Sequence, residues 1–142
     1  NKYKSLGKSF EFVCCILPTA PLISVKNIKN SYMKMINESF DTVFPVLEFT
    51  FPIQRGLKIE HDKIAMVDSR FLNTRSQDLP PRYHDAGQFY WSSVEVFRHQ
   101  KKLLTDNSTA IIISQLEAQD IDNEIDWKLA EIKYKLINEI SR

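Results

Sequence analysis

Asp120 and Asp122 stand two residues apart in EAQDIDNEIDW, residues 117–127, a stretch of eleven residues with five acids and no base. On extended backbone, side chains two apart point the same way. Two converging carboxylates repel each other, and a hard divalent cation such as Mg²⁺ relieves that repulsion. Such an ion keeps several waters and bridges to substrate phosphates. A second reading of the same residues is structural. Asp122 or Asn123 can cap a following helix, with Glu124 and Asp126 favoured by the dipole of its first turn. Spacing alone leaves both readings open.

A second group lies in RSQDLPPRYHDAGQFYW, residues 75–91. It gathers Arg75, Gln77, Asp78, Arg82, Tyr83, His84, Asp85 and Gln88 beside Phe89, Tyr90 and Trp91. Arginine is a forked partner for a carboxylate or phosphate, and glutamine and histidine suit hydroxyl recognition. The structural alternative is a solvated loop feeding an aromatic core strand. A third group is CILPTAP, residues 15–21, where Pro18 and Pro21 stiffen the exit of a strand and Thr19 can present its hydroxyl. Other chemistries find no support. Cys14 and Cys15 lie in an apolar run, where thiols read as small buried hydrophobes, and strand neighbours point to opposite faces and cannot bridge. His61, His84 and His99 lack metal-ligand spacing. Gly7, Gly56 and Gly87 are the three glycines of the chain, too few for a glycine-rich phosphate loop.

The elements that must position these groups follow from periodicity. FEFVCCIL, residues 10–17, predicts a buried central strand. Ser24 predicts the cap of a helix with Val25, Ile28, Tyr32, Met35, Ile36 and Phe40 on one face. Residues 42–50 predict a strand in which Pro45 marks an edge or bulge. GLKI and KIAMV flank EHD, so residues 56–67 predict a hairpin. Residues 69–84 read as a long loop. GQFYW, 87–91, predicts an aromatic strand, after which Ser92 or Ser93 starts a helix carrying Val94, Phe97 and Leu104. TAIIIS, 109–114, predicts a buried strand. Residues 125–140 predict an amphipathic helix with Ile125, Leu129, Ile132, Leu136 and Ile140 on its apolar face. Strands alternating with helices define an α/β class with a mixed, mostly parallel sheet and one antiparallel excursion.

The chain has 142 residues, enough for a single domain over 1–142 with a sizeable core. It is 43% hydrophobic and 26% charged, with a net charge of +1, and its longest basic runs are pairs such as Lys101-Lys102. That balance offers no basic footprint for nucleic acid or a membrane surface. No run approaches the roughly 20 apolar residues of a membrane span, and no signal peptide is visible, so the expected location is cytoplasmic. The sequence opens without a methionine and runs almost at once into a strand, which predicts a chain whose earlier part is missing.

LPTAP, then RSQDLPPRYHDAGQFYW, then QDIDNEIDWKLAE, in that order, resemble the acylneuraminate cytidylyltransferase family, the enzymes that activate sialic-acid-like sugars with CTP. FPIQRGLKI, RSQDLPPRYHDAGQFYW and DIDNEIDW are most similar to its pseudaminic acid branch. The resemblance runs from about residue 10 to about 135 and covers the C-terminal portion of such an enzyme. It implies a three-layer α/β nucleotidyltransferase fold and a homodimer. The implied reaction adds CMP to the anomeric hydroxyl of a nonulosonic acid and releases pyrophosphate, with Mg²⁺. Residue by residue, Asp120 and Asp122 match the metal-binding Asp-x-Asp. Thr19 belongs to the Pro-Thr-x-Pro turn. Gln88, Phe89 and Tyr90 match the strand beside the sugar, and Gln77 and Asp78 match the Gln-Asp-Leu-Pro segment. Arg75 or Arg82 is placed to meet the sugar carboxylate. Residues 52–84 correspond to a dimerisation arm and substrate loop.

The chain departs from the pattern in several places. Leu17 stands where many members have Gln before Pro-Thr-x-Pro. Ser76 precedes Gln-Asp-Leu-Pro, with Arg75 one residue earlier. His84 precedes Asp85-Ala86-Gly87 where sialic acid enzymes favour Arg before Pro-Asn-Gly. These changes suggest a different nonulosonate. Nothing in the chain matches the basic, glycine-containing segment that cradles the CTP phosphates in the family. A second expectation follows from that gap: a catalytically incomplete interaction or dimerisation module derived from the family.

Overall fold

A computed structural model describes residues 2–140. The chain forms two compact units, one comprising residues up to Val46 with those from Asp85 onward, the other Leu47–His84.

The first unit begins with a short helix, α1 (Lys2–Ser5), and strand β1 (Phe12–Ile16). Helix α2 (Val25–Asn37) follows, and the Ser24 side chain accepts a hydrogen bond from the Asn27 amide, the cap its sequence predicts. The inward stripe of α2 is Asn27, Ser31 and Met35, spaced four apart, while Val25 and Ile36 face outward. The predicted apolar face is therefore only partly the buried one. Tyr32 of that helix packs edge-on against Phe12 at 5.8 Å and tilted against Trp91 at 4.7 Å. The Trp91 indole N–H donates to the Ile28 carbonyl at 3.0 Å, so one half-buried aromatic joins helix to sheet.

Strand β2 (Thr42–Glu48) starts in this unit and supplies its most buried run, including Thr42, Val43 and Val46. The second unit follows, with hairpin strands β3 (Leu57–Glu60) and β4 (Lys63–Met66) and strand β5 (Tyr83–Asp85) at its end. The chain re-enters the first unit through β6 (Phe89–Ser93), α3 (Val94–Gln100), β7 (Ser108–Ile112) and α4 (Glu124–Ile140). Ser93 caps α3 as predicted, and Lys101 ends it in a left-handed conformation.

Sheet registers correct two expectations and narrow a third. β6 pairs antiparallel with β1 and with the start of β2, and β7 alone runs parallel to β2. The described pairings of this unit are thus mixed but not mostly parallel. β1 is the terminal strand of the order β1–β6–β2, and Val13, Cys15 and Ile16 are exposed, so FEFVCCIL is neither central nor buried. Pro45, in contrast, sits fully buried inside β2. A residue's N and O face the same side of a strand. The Pro45 carbonyl accepts from the Ala86 amide, and β6 pairing stops at Val43, so its missing donor faces a gap in the ladder.

Helix α4 follows the predicted boundaries closely, but its predicted apolar face, Ile125, Leu129, Ile132, Leu136 and Ile140, is exposed, and Ala130 is its buried residue. The helical period is real, but the described residues leave most of that stripe to solvent.

In the second unit, the hairpin is the one predicted. His61 and Asp62 both take left-handed φ values of 51° and 60°, the two-residue turn that matches strand twist. Gly56 closes its base by accepting from the Val67 amide. Two side-chain bonds tie the long segment after it: Gln54 Nε2 to the Pro80 carbonyl at 2.8 Å, and Arg55 Nη1 to the Thr74 carbonyl at 3.1 Å.

Candidate active site

Three chain segments of the first unit converge around β6. At its start, the Gln88 carbonyl accepts from the Leu17 amide at 2.8 Å, which fixes the exit of β1 and the turn holding the exposed Thr19. The Gln88 side chain is 2% exposed and donates through Nε2 to the Glu117 carbonyl. Phe89 beside it is fully buried, a packing residue of the sheet. Tyr90 is half-buried, and its hydroxyl donates to Asp85 Oδ2 at 2.6 Å. Burial, then that hydrogen bond, then the nearby negative charges of Asp85, Cys15 and Asp120 push the Tyr90 phenol well above its ordinary range. Tyr90 is therefore a fixed, protonated phenol at neutral pH.

The acidic stretch divides cleanly. Asn123 Oδ1 accepts from the Ile125 and Asp126 amides at 2.9 and 3.2 Å, which makes Asn123 the cap of α4. Asp126 Oδ2 accepts from the Asp122 and Asn123 amides at 3.1 and 3.2 Å, closing the turn from the other side. Among the described residues, the Asp120 and Asp122 carboxylates accept no hydrogen bond and join no ion pair; both are exposed. Pro21, Leu22, Ile121, Trp127, Ala130 and Tyr134 line an open groove of about 340 Å³ that begins between the two aspartates at Ile121.

The donor set can be tested against Mg²⁺. Among the described residues no group of three or more His, Cys, Asp or Glu is arranged to hold a metal. A closed protein cage is thus not built here. Two free carboxylates fit a cation that takes one or two protein oxygens and completes its shell with water and substrate phosphate.

The remaining predicted residues belong to the second unit. Arg75 is exposed and engaged with Asp78 in a forked pair, 2.8 and 3.1 Å, which raises its pKa through that hydrogen bond. Gln77 is exposed in the short turn between them. His84 is exposed, with its ring 4.8 Å from that of Phe49. Arg82 is exposed, and its backbone carbonyl accepts from the Phe49 amide.

Glu117, Asn27 and Lys133 escaped the sequence reading. Ser114 and Glu117 form a capping box, the Ser-x-x-Glu spacing that was legible before the structure. Asn27 and Lys133 carried no such signal, because their partners lie 90 and 15 residues away.

No family model matches the chain. Curated relatives do. It is 32% identical over 137 residues, 96% of its length, to pseudaminic acid cytidylyltransferases from Campylobacter jejuni subsp. jejuni serotype O:23/36 (strain 81-176) and serotype O:2 (strain ATCC 700819 / NCTC 11168). It spans 59% of the length of each. It is also 32% identical over 115 residues, 80% of the chain and 22% of the relative, to a Helicobacter pylori protein (strain ATCC 700392 / 26695). That protein is named pseudaminic acid cytidylyltransferase and UDP-2,4-diacetamido-2,4,6-trideoxy-beta-L-altropyranose hydrolase. The likeness to the acylneuraminate cytidylyltransferase family, read first from three ordered motifs, therefore holds over nearly the whole chain. Within that family, the relatives it matches are pseudaminic acid cytidylyltransferases.

Proposed function

We propose that this chain forms part of a cytidylyltransferase that transfers CMP from CTP to the anomeric hydroxyl of a nonulosonic acid of the pseudaminic type. One observation carries the reading: Asn123 and Asp126 do the capping of α4, leaving Asp120 and Asp122, two residues apart in sequence, with carboxylates that no hydrogen bond among the described residues engages. The names of its relatives supply the reaction class. The complete enzyme is read as a three-layer nucleotidyltransferase, of which this chain supplies the mixed sheet described above.

In the proposed reaction the sugar oxygen bonds to the α-phosphorus of CTP as the α–β bridging bond breaks. Pyrophosphate leaves with the electron pair, and the hydroxyl proton is released. Asp120 and Asp122 are the residues that would hold Mg²⁺, which supplies charge neutralisation at the α-phosphate and pyrophosphate. Tyr90, its hydroxyl donating to Asp85, serves as a hydrogen-bonding wall and not as a base. Thr19 presents its hydroxyl from the turn after β1. Gln88 and Phe89, both buried, shape the strand from within. Arg75 is occupied by Asp78, with Gln77 and His84 as polar neighbours in sequence, so Arg82 is the cation assigned to the sugar carboxylate.

Homodimerisation belongs to the same proposal. The hairpin register pairs Leu57 with Met66 and Ile59 with Ile64 on one face, while Lys58, Glu60 and Lys63 take the other. Leu57, Ile59 and Ile64 are exposed, an apolar face suited to a second copy in residues 52–84.

The test is pyrophosphate release by the protein at its full natural length, with CTP, Mg²⁺ and a panel of nonulosonic acids. Release with pseudaminic acid, and little with sialic acid, is expected. Absence of release with every acid refutes the reading.

A further inference from the structure

Glu117 is held on every acceptor it has. Its Oε1 accepts from Asn27 Nδ2 of α2 at 3.0 Å, and its Oε2 accepts from the Ser114 amide at 3.0 Å. Its backbone carbonyl accepts from Nε2 of Gln88, the residue that leads into β6. The next carbonyl, Ala118, accepts from Lys133 Nζ of α4 at 2.7 Å. Ala118, Asn27 and Gln88 are all buried, and Glu117 is half-buried. Burial lowers the Lys133 pKa, the mark of an ammonium drawn out of water toward that carbonyl. Three separate elements thus clamp two consecutive residues, and Asp120 follows two residues later.

The Ser114 bond closes a capping box on the short turn, but the bonds to Asn27, Gln88 and Lys133 go beyond what that cap requires. The clamp spends a carboxylate, two buried amides and a lysine on a segment of three residues, Gln115–Glu117, that joins β7 to the acidic loop. Beyond it, the Asp120 and Asp122 side chains make no bond that could fix them. Their placement is set by the backbone that leads to them from the clamp and away from them into the Asn123 cap. Groups hydrogen-bonded directly to metal ligands change metal affinity by about 10- to 100-fold when removed; Glu117 acts one step further back, through the backbone that leads to Asp120.

We infer that Glu117 is a positioning residue: through Asn27, Gln88 and Ser114 it sets the Asp120–Asp122 pair for a divalent cation, with Lys133 as the outer strut. The inference rests on the metal reading of those aspartates, and its test separates the two. Mn²⁺ alone is titrated into the full-length protein and free ion is read by electron paramagnetic resonance, with circular dichroism and melting temperature recorded in parallel. Glu117→Ala is expected to weaken Mn²⁺ binding about tenfold or more while the helical signal persists. Glu117→Gln, which keeps one acceptor and one shape, is expected to recover part of that loss. Lys133→Met, a substitution that keeps most of the stem of this half-buried side chain, is expected to weaken binding by less than Glu117→Ala and decides the matter if Glu117→Ala does not fold. Wild-type Mn²⁺ affinity in folded Glu117→Ala and Lys133→Met, with binding lost in Asp120→Ala, overturns the positioning role and leaves the metal site standing. Wild-type affinity in Asp120→Ala overturns both.

Discussion

Asp120 and Asp122 differ from Asp126 in one respect that decides their chemistry: no hydrogen bond or ion pair in the described structure engages their carboxylates. Asn123 and Asp126 satisfy the orphan amides at the start of α4. From spacing alone, Asp122 was as good a cap as Asn123, and only the hydrogen bonds separate them. Arg75 shows the reverse outcome. Its type suggested a substrate contact, but Asp78, three residues on, holds it in a forked pair. Arg82→Ala is accordingly expected to raise the KM for the sugar at least tenfold with the KM for CTP nearly unchanged, read by initial rates of pyrophosphate release. An unchanged sugar KM removes Arg82 from the carboxylate. Cys14 supplies a pH test. Its burial, then the neighbouring Cys15, raise its thiol from 9.0 to about 11. A folded pKa above the unfolded one stabilises below pH 9.0, and that contribution is lost as pH rises through about 11. Alkylation of Cys14, followed by mass spectrometry, should stay slow at pH 8 and accelerate only toward pH 11. Rapid labelling at pH 8 contradicts the assignment.

At the scale of elements, what was legible in the sequence was local. Ser24 and Ser93 announced their helices because a cap is decided within three residues. The hairpin was legible because His61-Asp62 sits between two alternating runs. What failed was long-range. FEFVCCIL has the composition of a central strand, yet β1 lies at the end of the strand order. Pro45 left an edge or a bulge open, and only the fold, where it is buried beside a gap in the ladder set by where β6 stops, decides between them. Helix α4 carries a strong apolar stripe that the described residues leave uncovered. No property of a single segment reports what lies across from it. The hairpin's apolar face belongs at this scale too. Ile59→Asp with Ile64→Asp places two charges on that face while leaving the turn and the backbone ladder intact. Sedimentation should then shift from dimer to monomer; an unchanged dimer rules out this face as the interface.

For the whole molecule, the chain spans 59% of the length of its Campylobacter relatives, and no segment of it matches the phosphate-cradling segment of the family. Residues 1–142 alone are therefore expected to release no pyrophosphate from CTP, and turnover by this chain alone would contradict that division of labour. No helix among the described residues is long and apolar enough to cross a membrane. The site was partly legible at this scale because three short motifs in a fixed order carry more information than any one of them. The clamp behind the aspartates was not, since it is assembled from residues on α2, at the lead into β6 and on α4 that meet only in the fold. The most direct test of the central claim is Mg²⁺-dependent CMP transfer by the full-length protein with Asp120→Ala and Asp122→Ala. Each is predicted to lower kcat by about 100-fold or more with the circular dichroism spectrum unchanged. Full turnover by either folded variant contradicts the account.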